Sequence, residues 1–251
     1  MRTILILGER AAREAKRTPD ALLPTLLIPL FFLVVNVGQV AEIFDVDTTP
    51  FLEGQSYAAF QLPATLILAA SFGTSALYLV EEIENGYFDK LRAAPISRSS
   101  LALGRLSAEA LKTSLLALLI ILLALPFGVR VSSGLIGVIL LVLLTALWSV
   151  GYSGFLQFIA LKSRNAAATN SAGLIFFPLL FLTPNFVPRE LLARPMEIAA
   201  TINPVTYVME ALRSLILVDL DWAVIGKGFA VTAIFVVVMT AINVRTMAKY
   251  D

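Results

Sequence analysis

Long apolar runs are the feature of this sequence that most constrains its fold. Several of them reach or approach the roughly 20 residues that a helix needs to cross the hydrocarbon core of a bilayer. Hydrophobic residues make up 58% of the 251-residue chain and charged residues 15%, whereas soluble domains carry roughly 25% charged residues. A segment in lipid must satisfy its own backbone hydrogen bonds, which a helix does. The sequence therefore predicts an all-α, polytopic membrane protein.

Hydropathy divides the chain into six predicted transmembrane helices. They cover residues 21–40, 57–80, 106–129, 134–161, 166–184 and 222–244. The first two contain prolines, which membrane helices tolerate because neighbouring groups satisfy the freed backbone. The whole chain, 1–251, is predicted to form one transmembrane domain.

The basic residues are distributed unevenly between the two sides of these spans. One side holds 14 of the 19 Lys and Arg residues, and the alternate loops hold 5. By the positive-inside rule the richer side faces the cytoplasm. Both termini are therefore predicted to be cytoplasmic, which agrees with an even number of spans.

A charged segment at 81–100 joins the second and third predicted spans on the cytoplasmic side. It contains an Asn-Gly turn signal, after which Tyr87, Leu91 and Ala94 recur at i, i+4 and i+7 as the apolar stripe of a short helix. Pro95 ends that helix. These residues favour either a solvated turn or a short surface helix that contacts lipid headgroups or another protein.

The N-terminal residues 1–20 predict a second amphipathic helix, lying in the membrane interface. Ile4 and Leu7 fall on its apolar face, and Arg10 and Arg13 fall on a face that anionic lipid attracts. An ordinary positive-inside anchor fits these residues equally well.

The external segment 185–221 is long and apolar rather than polar. It is typical of two helical pieces broken at Asn203 and Pro204, and each piece is too short to span. We predict a helical hairpin that dips partly into the outer leaflet, and a plain amphipathic cap on the outer surface is the alternative. Glu210 and Arg213 lie three residues apart on the second piece, a spacing at which the two could pair.

Several kinds of chemistry are absent from the sequence. The chain has no Cys and no His, which removes disulfides, thiolate or histidine catalysis and most transition-metal sites. It has no phosphate-binding loop of the GxxxxGK[ST] form. No ionisable residue is predicted at a bilayer centre, which argues against an ion-coupled carrier. We predict no catalytic residue and no metal site.

The polar and aromatic residues inside the spans suggest a weak candidate for a substrate path. The residue types suit a hydrophobic cargo, although helix packing and interhelical hydrogen bonds use the same types. The candidates are Asn36, Gln39, Gln61, Phe176 and Phe177.

Two motifs in this order resemble one known family over essentially the whole chain. EEIENGYFDKLRAAPISRSSLALGRL follows the second span, and NPVTYVMEALRSLIL precedes the sixth. Together they are similar to the membrane subunit of type-2 ABC exporters, close to the daunorubicin-resistance permease group. Many members carry an Arg before the first Glu of the motif, where this chain has only an acidic run, so no single role is assigned within that run.

The resemblance implies a division of labour between subunits. Two permease subunits, identical or similar, would bind two copies of a cytoplasmic ATP-binding subunit, which would hold ATP and Mg²⁺. The cargo would be a hydrophobic drug, a lipid or a lipid-linked glycan, carried across a cytoplasmic membrane. The residues that would form the coupling helix are Glu82, Glu84, Gly86, Tyr87, Phe88, Leu91, Arg92 and Pro95, with Asn203, Pro204, Glu210 and Arg213 in the external hairpin.

Two other functions are compatible with parts of this pattern. A membrane scaffold or immunity protein of the same fold would share the spans and have no ATPase partner. An ion-coupled carrier is disfavoured because no buried charge is predicted.

Overall fold

The computed structural model describes residues 19–40, 42–72, 75–93 and 98–248. Residues 1–18, which make up most of the predicted interfacial helix, lie outside this set. Within the described ranges the backbone forms eleven α-helices, three short 3-10 helices and no strand, which confirms the all-α prediction. The helices are α1 Pro19–Val40, α2 Tyr57–Ser71, α3 Ser75–Glu84, α4 Tyr87–Ala93, α5 Arg98–Ala124, α6 Gly134–Ser163, α7 Ala166–Gly173, α8 Phe176–Phe181, α9 Arg194–Ile202, α10 Pro204–Leu217 and α11 Trp222–Ala248.

Five stretches of the described chain are long and apolar enough to cross a membrane. They correspond to α1, to α2 with α3, to α5, to α6 and to α11. Their order and positions agree with five of the six predicted spans, and the polytopic architecture is thereby confirmed. The largest extensions beyond the predicted boundaries are those of α5, which begins at Arg98, and of α11, which ends at Ala248.

The fifth predicted span differs from the prediction because it is broken into α7 and α8. Neither helix is long enough to span, and the stretch Ala166–Phe181 as a whole is shorter than the other five. The break has a local cause. Pro178 has no N–H to donate to Leu174 O, and that carbonyl accepts instead from Phe177 N at 3.1 Å.

The external segment forms two helices, α9 and α10, that meet at Asn203, where the break was predicted. The Asn203 side chain caps α10 by accepting from Val205 N at 3.0 Å, and Pro204 occupies the first turn. The Asn203 amide also donates to Leu179 O of α8 at 2.6 Å. One residue therefore ends the hairpin's turn and ties it to the broken fifth segment.

Helix α10 forms the centre of the fold. It packs against α2, α6 and α11, and most of its residues are buried. Tyr207, Glu210 and Ser214 are partly exposed along one side. The buried residues are Val205, Thr206, Val208, Met209, Ala211, Leu212, Arg213, Leu215, Ile216 and Leu217.

Small residues bring α11 close to its neighbours. A Cβ placed on Gly228 would lie 2.9 Å from Tyr207 O and would collide with the Ala211 side chain of α10. A Cβ on Gly154 of α6 would lie 3.0 Å from Met239 Cβ. Such close backbone approach is typical of helix pairs within a membrane, where association depends on packing rather than on water exclusion.

The α10–α11 contact leads to a prediction with a matched control. We expect Gly228→Ala to lower the free energy of unfolding by about 1–3 kcal/mol, because α10 must move to admit the methyl group. A Cβ placed on Gly226, two residues away on α11, would meet no atom within 4 Å. Gly226→Ala should leave stability unchanged or slightly higher. Thermal denaturation of the purified protein in detergent measures both, and equal effects would contradict the close-packing account.

Candidate functional site

The charged segment 81–100, in which the coupling helix is expected, is called the coupling segment. Its described part includes the end of a helix, a tight turn and a second short helix. Helix α3 ends at Glu84, and Gly86 adopts the left-handed conformation with φ 66°. Gly86 N donates to Ile83 O at 3.1 Å, which closes the helix end. Helix α4 then begins at Tyr87. The turn and the short helix predicted between the second and third spans are therefore present in the structure.

The buried face of α4 differs from the predicted stripe. Phe88 is the residue that packs into the protein core, with 1% of its surface exposed, whereas Tyr87 is 39% exposed. Successive residues of a helix point about 100° apart, so burying Phe88 turns Tyr87 outward. Leu91 is partly buried. Ala94 and Pro95 lie outside the described residues.

The acidic run is divided between the interior and the surface. Glu82 forms an ion pair with Arg105 of α5, and both side chains are nearly buried. Glu84 is exposed. Of the residues expected to face an ATP-binding subunit, Glu82 and Phe88 therefore hold the coupling segment to its own chain. Glu84 and Tyr87 remain on the surface. The side chain of Arg92 lies outside the described set.

A cavity of about 410 Å³ lies beside the end of α2, the start of α3 and the junction of α7 with α8. This volume is within the range of small-molecule pockets. The residues that line it come from α1, α2, α3, α6, α7 and α8 and the joints beside them, and none of them is charged: Pro24, Thr25, Leu68, Ser71, Phe72, Leu77, Leu156, Thr169, Asn170, Ser171, Gly173, Leu174, Phe176 and Phe177.

Aromatic side chains of α6 support one wall of the cavity. Trp148 Nε1 donates to Ser71 Oγ at 2.9 Å, and Tyr152 OH donates to Gly173 O at 2.8 Å. The Tyr152 and Phe176 rings meet edge to face with centroids 5.4 Å apart. These contacts hold the end of α2 and the end of α7, so the cavity wall is built from fixed groups.

The structure separates the residues of the predicted substrate path. Phe176 and Phe177 line the cavity, as the path would require. Gln61 is buried elsewhere, with its amide donating to Tyr57 OH at 2.8 Å and to Asn185 O at 2.9 Å. Asn36 and Gln39 lie towards the C-terminal end of α1, away from the N-terminal turn that reaches the cavity.

Gln61 belongs to an outer polar cluster formed by α2 and the segment after α8. Tyr57 OH donates to Phe186 O at 2.9 Å. The cluster joins the start of the second span to the segment that leads into the external hairpin. The two bonds donated by the Gln61 amide explain how this group is accommodated in an apolar bundle.

Arg213 of α10 is a buried cation held by an aromatic ring. Its guanidinium carbon lies 3.6 Å from the centroid of Phe60, and its Nε donates to Phe60 O at 3.4 Å. Burial lowers the pKa of Arg213 to about 9, and the charge of Glu210 acts in the opposite direction. Because a guanidinium stays protonated in proteins, Arg213 is a buried charge. Among the described residues its Nη2 has no hydrogen-bond partner.

Glu210 pairs with Arg189 rather than with Arg213. Glu210 accepts two hydrogen bonds from Arg189, at 3.0 and 2.8 Å, in the forked geometry that suits a guanidinium and a carboxylate. The Arg213 side chain contacts Phe60 of α2 instead. Helical spacing alone permits both arrangements.

Comparison with known proteins places this arrangement in a family. The profile of the ABC-2 type transporter family matches residues 2–217. The chain belongs to the ABC-2 type transporter family. A curated relative, the daunorubicin resistance ABC transporter permease protein DrrB1 of Streptomyces coeruleorubidus, is 26% identical over an alignment of 268 residues, which covers 98% of this chain and 91% of the relative.

Family membership gives the described elements a common context. The ABC-2 match includes the coupling segment, the cavity and the external hairpin, and only α11 lies beyond it. The chain is accordingly a multi-pass membrane subunit of the ABC transporter type. This family implies partnership with a cytoplasmic ATP-binding subunit.

Sequence reasoning missed three residues of this ABC-2 subunit that the structure makes prominent. Trp148 and Tyr152 were not singled out, although aromatic residues with a polar tip in a span usually bind a partner. Arg189 lies 21 residues from Glu210 along the chain, so no helical spacing links them. The sequence carried a usable local signal for Trp148 and Tyr152 but none for Arg189.

The Arg213–Phe60 contact leads to a double-mutant prediction. A desolvated cation–π contact contributes about 2 kcal/mol, so Phe60→Leu should cost about 2 kcal/mol less in an Arg213→Met background than in the native chain. Chemical denaturation in detergent measures the four free energies of unfolding. Phe176→Leu, at the cavity, serves as the control and should cost the same in both backgrounds. Additive costs for Phe60 would show that the ring contributes only packing.

Proposed function

We propose that this chain is the permease subunit of an ATP-driven exporter for hydrophobic or amphipathic molecules. The observation that carries the proposal is the position of α3. One end of this helix leads through Gly86 into the coupling helix α4, and Leu77 near its other end lines the cavity. A single rigid helix therefore connects a surface suited to a partner protein with a chamber suited to a small molecule.

Transmission along α3 requires that α4 move together with it. Phe88 packs α4 into the core, and the Glu82–Arg105 ion pair joins α3 to α5. A partner that displaces α4 would thus move α3 and α5 as well. Because α3 is ten residues long, its two ends are roughly 15 Å apart. A tilt at the end that joins α4 would therefore move the residues at the cavity end as well.

ATP chemistry is assigned to a separate subunit. The chain lacks a phosphate-binding loop, and ATP with Mg²⁺ would bind to the cytoplasmic partner. A second permease copy, identical or homologous, would complete the translocation unit. The basic-residue distribution supports a cytoplasmic coupling end, with the α9–α10 hairpin entering the outer leaflet on the other side of a cytoplasmic membrane.

The character of the cavity supports an uncharged or amphipathic cargo. The wall includes a few polar side chains, among them Thr25, Ser71 and Asn170, and is otherwise largely apolar. A charged group would enter without a charged partner, at high desolvation cost. The relative's name links it to resistance against daunorubicin, an amphipathic drug, and daunorubicin is therefore the first cargo to test.

The exposed face of α4 leads to a binding prediction. Tyr87→Asp should weaken binding of the ATP-binding subunit about tenfold or more, because loss of an aromatic interface anchor costs roughly 2 kcal/mol. The measurement is copurification of the native soluble partner with the tagged chain, quantified by mass spectrometry. Leu91→Asp, on the same short helix, should act in the same direction.

A matched control separates docking from folding. Phe88→Ala removes a core contact and should lower the melting temperature in detergent more than Tyr87→Asp does, because Phe88 is 1% exposed and Tyr87 39%. If the tagged chain copurifies with no ATPase, the scaffold or immunity function replaces the exporter. If Tyr87→Asp retains the ATPase fully, the ATPase binds elsewhere and the assignment of the docking surface to α4 is wrong.

The cavity leads to a transport prediction based on two adjacent residues. Leu174 lines the cavity and the neighbouring exposed Ile175 does not. Leu174→Trp should fill part of the cavity and reduce daunorubicin export severalfold in cells that contain both subunits, while Ile175→Trp should export normally. Intracellular daunorubicin fluorescence is the readout. Equal export by the two variants at equal expression would place the cargo elsewhere.

A further inference from the structure

A second cavity lies between the C-terminal ends of α6 and α11, outside the coupling segment and the central cavity. Its volume is about 490 Å³. Three cations line it: Lys162 and Arg164 from the end of α6, and Arg245 from the last turns of α11. Among its described lining residues none is acidic. We call this feature the basic groove.

Helix packing explains why the basic groove is open. Nearer the middle of the bundle α6 and α11 touch through Gly154, whose carbonyl accepts from Asn243 Nδ2 at 2.7 Å. One turn beyond, larger side chains replace the glycines on α6. Phe158, Leu161 and Ile242 then form an apolar floor beneath the three cations. The basic groove therefore has an apolar interior and a basic rim.

The position of the basic groove fixes its level relative to the membrane. Helices α6 and α11 both have the length and hydropathy of spans, and the groove lies at their ends. Helix α5 begins beside the coupling helix α4 and crosses to the other side, and α6 crosses back. The C-terminal end of α6, where the basic groove lies, is therefore on the same side as α4. At this depth phospholipid headgroups surround a membrane protein.

We propose that the basic groove binds an anionic phospholipid in the leaflet on the coupling side, with its phosphate among Lys162, Arg164 and Arg245. The carboxyl ends of two helices carry about −0.5 charge each and oppose an anion, but the full positive charges of Lys162 and Arg245 exceed them. The apolar floor suits the glycerol and the first acyl carbons. Basic pockets between spans on the cytoplasmic side are a recurrent form of lipid site.

The test is lipid retention by the purified full chain, measured by native mass spectrometry. The protein is mixed in detergent with dioleoyl phosphatidylglycerol or dioleoyl phosphatidylcholine, which share acyl chains and differ in net charge. We expect preferential retention of phosphatidylglycerol. Each of Lys162→Gln, Arg164→Gln and Arg245→Gln should reduce it about fivefold, the effect expected of one basic residue near an anionic surface, and the triple variant should abolish the preference.

Two further variants separate the site from diffuse charge. Lys227→Gln removes an exposed cation at the opposite end of α11 and should leave retention unchanged. Thr246 lines the basic groove, so Thr246→Phe narrows it without changing its charge and should reduce lipid retention. The Thr246 hydroxyl that is lost donates to Ile242 O of the same helix at 2.8 Å. Arg245→Lys keeps the positive charge and should retain phosphatidylglycerol, which would show that a substitution at this position does not by itself misfold the protein.

The outcomes are distinct from those of the exporter proposal. Equal retention of both lipids, or undiminished retention by the triple variant, would overturn the lipid site. Displacement of phosphatidylglycerol by millimolar inorganic phosphate, which itself stays bound, would assign the site to a free anion instead. A change of oligomeric mass in the triple variant, with lipid unaffected, would assign the basic groove to a second copy. Copurification of the ATP-binding subunit should be unchanged throughout.

Discussion

Satisfaction of backbone hydrogen bonds in a medium without water is the constraint on which this structure depends. Long helices meet it internally, but α7 ends at Gly173, and the carbonyl of that residue needs a partner. Tyr152 OH supplies the bond, and Trp148 Nε1 bonds the Ser71 hydroxyl at the end of α2. One helix, α6, thus supports both interruptions. The cavity exists because those interruptions are tolerated only where protein groups face them.

Charge is placed in this fold by the same cost of burial. Glu82 pairs with Arg105, and the buried Glu109 pairs with Lys112 one turn away on α5. Arg213 differs from these two ion pairs. Its guanidinium contacts the Phe60 ring and donates to the Phe60 carbonyl rather than to a carboxylate. Each arrangement ties two segments or two turns together. The buried charges therefore connect the coupling segment and the external hairpin to the bundle.

The coupling segment shows how far local pattern reasoning reaches. The Asn-Gly turn, the short helix and its position between two spans were predictable, because turn chemistry and helix periodicity are local properties. The choice of Phe88 rather than Tyr87 as the buried residue was not. A seven-residue helix has apolar groups on more than one side, and the surface it meets decides which of them is buried. Glu82 was assigned outward for the same reason, since its partner Arg105 lies on another helix.

The sequence by itself determined the membrane class, five of the spans, the helical hairpin broken at Asn203 and the surface position of α4, because hydropathy, capping and turn signals act over a few residues. Tertiary structure alone decided the rest. It paired Arg189 with Glu210, stacked Arg213 on Phe60, bonded the end of α7 to Tyr152 of α6 and opened the basic groove beyond Gly154. These features join residues far apart in the chain, and their energies depend on burial and distance, which only the packed bundle defines.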